Sequence, residues 1–332
     1  MKVRFFLFLF PFVLLACSNS QPELYSPDGE LVLSFRLTED GAPEYSVCRG
    51  NESVLLWSPL GLQTEGADLS TGFVLKGIKK SRHDEVWETV WGEERFIRDH
   101  HNRMLVSLQH TSGVKMQIAF RCFNDGVALR YEFPDYGGKM TVTDEKTAYR
   151  FTENHDVWSI PWRTEYYEGL WSKEPMWSLT DTVCSPITME LKDGGYAFVH
   201  EAALYDYPGQ NLYVKDNMLC TYLTPWLGAH KQTLDARAYK EGAWSSPWRM
   251  VILTKTLPEL VASRIMLNLN EPCAIEDTEW IRPMKFIGIW WGMHIKTMTW
   301  EMGPMHGATT ENMEKYLRVA KEHNIDGVLA GG

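Results

Sequence analysis

No CxxC pair occurs anywhere in this sequence, and one of its six cysteines, Cys17, belongs to the N-terminal segment treated below. The other five, Cys48, Cys122, Cys184, Cys220 and Cys273, are odd in number and lack metal-type spacing. They indicate neither a disulfide framework nor a zinc site, and buried free thiols are expected. Blocks of Lys and Arg are missing too. With a formal net charge of -10, the chain offers no basic surface for a phosphate backbone, which excludes nucleic acid as a partner. There is no internal repeat of fixed period and no apolar run long enough to span a bilayer. Before residue 255 no segment keeps a helical period for three turns.

What the sequence does have is apolar and aromatic material. Its 332 residues are 44% hydrophobic and 13% aromatic, enough for a full core and, by length, for two domains. Fourteen Trp and fourteen Tyr serve either packing or flat apolar ligands such as sugar faces. Ten His among many carboxylates leave room for a metal or acid/base site without showing one.

The opening "MKVRFFLFLFPFVLLA" has a basic start at Lys2 and Arg4 and then an apolar run, the pattern of a secretory signal. "LLAC", Leu14 to Cys17, resembles the bacterial lipoprotein box. That implies lipidation at Cys17, a tether over 18–23, and an exported, outer-membrane lipoprotein facing the periplasm.

From Leu24 to about Leu267, short alternating or β-branched runs are broken by turn pairs at Asp40-Gly41, Asp125-Gly126 and Asp193-Gly194, which predicts one large all-β domain over 24–275. "LPELVASRIMLNLNEP" forms a short helix or strand before a linker. "IRPMKFIGIWWGMHI" then reads as a continuous apolar strand. In "ATTENMEKYLRVAKEHN", Met313, Tyr316, Leu317 and Ala320 share a helical face, with Thr310 as N-cap and Asn324 as the stop. "IDGVLAGG" reads as a second strand. A βαβ unit therefore opens an α/β domain at residue 283, and one such unit covers neither face of a parallel sheet, so 283–332 reads as the front of a longer domain.

Several stretches, in order, resemble glycoside hydrolase family 97: "FNDGVALRYEF", "TDEKTAYRF", "HEAALYDYPG", "SSPWRMVIL", "KFIGIWWGMH" and "HGATTENMEKYLRVAKEHNIDGVL". The resemblance implies a multidomain β + α/β fold, an N-terminal β-super-sandwich followed by the first βαβ unit of a truncated (β/α)8 barrel. It implies an exo-acting α-glucosidase or α-galactosidase that uses calcium and takes oligosaccharides ending in α-linked glucose or galactose. By the same resemblance, Glu201 of the "HEAAL" motif is a calcium ligand; read from the residues alone, Glu201 could equally face solvent on an edge strand.

The two catalytic carboxyl groups of a glycosidase lie, in this family, on later barrel strands, beyond Gly332, so no catalytic residue is assigned and the chain as given is expected to be inactive. Trp290 and Trp291 are candidates for a sugar platform at the end of the first barrel strand, one inward and one outward, or for packing alone. His294 is a candidate for hydroxyl contacts or a solvated loop residue. Trp162, Arg163 and Glu165 form a loop cluster suited to the barrel mouth, or a salt-bridged loop. Asp206 is expected to shape its turn. Where family members carry an acidic residue in a "VEGW"-like continuation, this chain has Gly331-Gly332. Two other readings remain: a non-catalytic carbohydrate-binding lipoprotein, and an epimerase of the mutarotase type.

Overall fold

The computed structural model describes residues 21–134, 136–163, 168–192, 194–225 and 235–331. The signal-like segment with Cys17, the start of the tether, Glu165, Asp193 and Gly332 lie outside the described residues. The chain divides into two units. One comprises the described residues up to Glu88 with Phe96–Pro272, the other Thr89–Arg95 with the described residues from Cys273 onward.

The first unit is almost wholly β. Its centre is an antiparallel sheet whose main path runs Ser172–Pro175, Asp156–Ser159, Ile187–Glu190, Tyr196–Ala202, Trp248–Thr254, Gly126–Phe133, Lys115–Phe123, Phe96–His110 and Phe73–Glu88. All seven residues of Trp248–Thr254 are buried, so this strand is covered on both faces. Side chains alternate between the faces of a strand. Val251 and Leu253 accordingly enter the main core, while Trp248, Met250 and Ile252 enter a second cluster with Ile265 and Leu269.

The second cluster draws on two short helices, Leu257–Ala262 and Ile265–Asn268, the first held by a Thr256–Glu259 capping box. Residues of three four-stranded sheets line the main core, among them Phe35, Val142 and Leu212. All five described cysteines are free, but only Cys122 and Cys184 are buried; Cys273 is exposed.

The Asp125-Gly126 turn is displaced by one residue from its expected place. Gly126 pairs with Phe123, so the two-residue loop is Asn124-Asp125 and Gly126 opens the next strand. The reason is steric, since a Cβ there would stand 2.5 Å from the Val251 carbonyl oxygen. Gly126→Ala is expected to cost about 2 kcal/mol by forcing apart two central strands, read as a lower urea midpoint.

In the second unit, Phe286–Gly288 and Gly327–Leu329 pair in parallel, with the helix Thr310–Glu322 between them in sequence. The apolar run before residue 296 is not one strand. Only three rungs of partner exist, and beyond Gly288 the backbone satisfies itself locally: Ile295 N–H donates to the Trp291 carbonyl at 3.0 Å, making a short helix of Trp290–His294. The helix cap also differs, because Thr309, not Thr310, accepts from Asn312 N–H at 3.2 Å. Thr309→Ala should therefore lower the stability of this helix by about 1 kcal/mol, with Thr310→Ala nearly silent by the same denaturation measurement.

Candidate functional site

Glu201 sits in the interior strand Tyr196–Ala202, which pairs with Ile187–Glu190 on one side and Trp248–Thr254 on the other. That excludes the solvent-facing edge position. In the ladder Glu201 stands opposite Arg249, and its carboxylate lies on the face shared with Ala197 and Val199, inside the main core. His200 points to the other face, where its Nδ1 lies 2.8 Å from Ser185 Oγ and burial holds its pKa below the ordinary value.

Arg249 is the centre of the arrangement. Its guanidinium donates to both oxygens of Glu145, Nε to Oε1 at 2.8 Å and Nη2 to Oε2 at 2.7 Å, and Nη1 donates to Glu201 Oε2 at 2.5 Å. Such a bidentate fork is the strong form of an ion pair. Burial by itself would lower the Arg249 pKa, but the two carboxylates outweigh it and hold the group well above its usual value. Two further donors hold the carboxylates: Thr147 Oγ1 donates to Glu145 Oε1 at 2.7 Å, and Gln210 N–H donates to Glu201 Oε1 at 2.9 Å. Gln210 Nε2 in turn donates to Tyr149 and Thr221. Burial first, then the nearby carboxylate charge, pushes Tyr131 and Tyr207 above the usual phenol range, so they remain neutral hydrogen-bonding groups.

Two carboxylates against one guanidinium leave a formal charge of about -1 in the core. The side chains of Glu145 and Arg249 have no exposure, whereas that of Glu201 keeps 9%. A cleft of ≈ 570 Å³ is lined in part by Asp206, Tyr207, Gly209, Thr224 and Tyr239, and Glu201 lies behind the Gly209 part of that lining, where a Cβ on Gly209 would stand 3.5 Å from Glu201 Oε1. Asp206 does more than shape its turn, since its Oδ2 accepts from the buried Lys240 Nζ at 2.8 Å.

The other sequence candidates fall into separate groups. Trp162 packs edge-on against Tyr222, and Arg163 donates to the Trp162 carbonyl oxygen at 2.8 Å and faces Asp181 at 3.9 Å. Trp290, Trp291 and His294 lie on one helical turn rather than at a strand end, and neither Trp is buried, with exposures of 41% and 70%. Trp290 lies 5.2 Å from the His294 ring and 5.8 Å from Trp300, a neighbour that sequence reasoning missed. Glu145 and Arg249 were missed too. The legible signal was Arg249 itself, a charge inside the otherwise apolar run "WRMVIL".

A family model described as "Glycosyl-hydrolase 97 N-terminal" matches residues 24–272. The chain belongs to glycoside hydrolase family 97. Over 252 residues it is 29% identical to a probable retaining alpha-galactosidase of Streptomyces bingchenggensis, covering 75% of this chain and 38% of that protein. It is 24% identical to the retaining alpha-galactosidase of Bacteroides thetaiotaomicron, covering 94% and 50%. Among solved structures, a family 97 enzyme from a Pseudoalteromonas strain, in complex with acarbose, superposes with a TM-score of 0.81 at 32% identity, covering 93% of this chain and 47% of that one. A β-arabinopyranosidase at 20% identity shares the fold, with a TM-score of 0.78. The chain thus spans half the length, or less, of these family 97 relatives.

Proposed function

We propose that this chain is the N-terminal part of an exo-acting family 97 α-glycoside hydrolase that removes terminal α-linked glucose or galactose, with the catalytic carboxyl groups on segments beyond Gly332. The observation that carries it is the family match over residues 24–272, joined to relatives named as α-galactosidases and to a family structure holding acarbose. Phe286–Gly288, the helix Thr310–Glu322 and Gly327–Leu329 form the first βαβ unit of a (β/α)8 barrel in this reading, and Cys17 anchors the exported protein to lipid.

Calcium is part of the proposal, and two features of the core network fit it. Each oxygen of Glu201 accepts one hydrogen bond, which leaves lone pairs free, and the network carries the uncompensated negative charge a hard cation needs. Gln210, whose backbone holds Glu201, also has a buried amide oxygen with no hydrogen-bond partner among the described residues. Glu201 would supply one carboxylate ligand, and Arg249 would fix its orientation while screening Glu145 from the ion. When bound, the ion supplies positive charge for carboxylate and hydroxyl oxygens.

The test begins with the DNA beyond codon 332. Further βα units and a pair of carboxylates should follow, and the complete product should cleave nitrophenyl α-glucoside or α-galactoside in a chelator-sensitive way, with residues 18–332 alone inactive. A stop codon at that point, or a complete product without either activity, overturns the reading.

A further inference from the structure

The hairpin of Phe73–Glu88 and Phe96–His110 places His83 directly opposite His101 and Glu85 directly opposite Asp99. Residues two apart on a strand share a face, so these alternate rungs, with Asp84–His100 between them, gather four ligand-capable side chains on one side of the sheet. His83 Nε2 lies 3.1 Å from Glu85 Oε1 and 3.3 Å from Asp99 Oδ2, and the three ligand atoms lie within 4.8 Å of one another. A tetrahedral zinc ion with bonds of 2.0–2.1 Å to imidazole nitrogen and carboxylate oxygen separates its ligand atoms by about 3.3 Å. Two of the three edges therefore already have close to that length.

We propose that His83, Glu85 and Asp99 bind a divalent ion of the zinc class, with one coordination position left open and His101 as the positioning residue for Asp99. Asp99 divides its carboxylate for this purpose: Oδ1 lies 2.7 Å from His101 Nδ1, and Oδ2 faces His83. The His101 ring is 1% exposed, lies 4.9 Å from that of His83, and has its Nε2 buried without a hydrogen-bond partner among the described residues. A carboxylate oxygen can only accept here, so the His101 Nδ1–H donates to Asp99, the arrangement by which an outer residue orients a ligand.

Charge and donor type select the ion. Like charges directly opposite in a ladder destabilise it, and one imidazolium offsets only one of Glu85 and Asp99, whereas a dication offsets both. Calcium takes six to eight oxygens and has no use for an imidazole nitrogen, while zinc accepts this mixed set. The charge of Arg121 also acts on Asp99, but the guanidinium makes no hydrogen bond to the cluster: it lies 4.5 Å over the Trp248 ring and its Nη1 donates to the Asn268 carbonyl oxygen at 2.9 Å. His83 and Glu85 keep side-chain exposures of 28% and 61%, so an ion can enter from solvent. Bound there, it would staple the two strands of the hairpin.

The test is titration of the chelator-stripped full chain with Zn²⁺ alone, followed by calorimetry and by thermal unfolding. One equivalent should bind and raise Tm. His83→Ala and Asp99→Asn should each weaken binding at least about tenfold, and Glu85→Gln, an exposed change that leaves folding intact, should weaken it measurably. His323→Ala, outside the cluster, should bind as the parent does. No saturable Zn²⁺ binding, binding unchanged in His83→Ala and Glu85→Gln, or equal affinity for Ca²⁺ would each overturn the assignment and leave His83 as a salt-bridge partner only.

Discussion

Arg249→Leu is expected to lower the unfolding free energy by about 3–5 kcal/mol, the largest effect of any single change considered for this protein. The substitution leaves Glu145 and Glu201 facing one another without their shared cation, in a core where neither can reach bulk water freely. Arg249→Lys should fall between the parent and Arg249→Leu. An ammonium keeps the charge but cannot make the two-pronged contact to Glu145 while also reaching Glu201. Urea denaturation followed by far-UV circular dichroism reads both, and a loss of less than about 1 kcal/mol for Arg249→Leu would show that the network does not hold the sheets together.

Glu201→Gln separates the structural role of that residue from its proposed role toward calcium. Arg249 keeps its bidentate partner Glu145, so the charges left in the core balance, and the stability loss should be about 1–2 kcal/mol, well below that of Arg249→Leu. In the longer glycosidase proposed above, calcium affinity should drop by about 10–100-fold. Unchanged calcium affinity removes Glu201 from the ligand set, whatever the stability change. A stability loss as large as that of Arg249→Leu would show instead that Arg249 depends on Glu201 rather than on Glu145.

Local patterning carried much of the fold. Alternation marked Leu31–Leu37 and Pro43–Arg49 as strands with one face inward, and their burial alternates along the first five residues of each. The helix Thr310–Glu322 was visible from its period, and its Glu311 pairs with Lys315 at 2.9 Å, one turn on. The misplacements share a cause. Thr309 and Thr310 are chemically alike, and only the chain path into the helix selects the cap; the run around Trp290 is apolar enough for either strand or helix, and the length of its partner strand decided between them.

By itself the sequence determined the family, through motifs that keep their order from "FNDGVALRYEF" to "NIDGVL", and the passage from all-β to α/β, because both are written in local runs of residues. It also singled out Glu201 through the "HEAAL" motif, while leaving open whether that carboxylate faced solvent on an edge strand or a partner inside. Only the tertiary structure decided what that carboxylate meets. Arg249 is 48 residues from Glu201 and 104 from Glu145, and the pairing of His83 with Asp99 depends on the register of two long strands. Such contacts follow from how whole strands align across the sheets, which no local periodicity encodes.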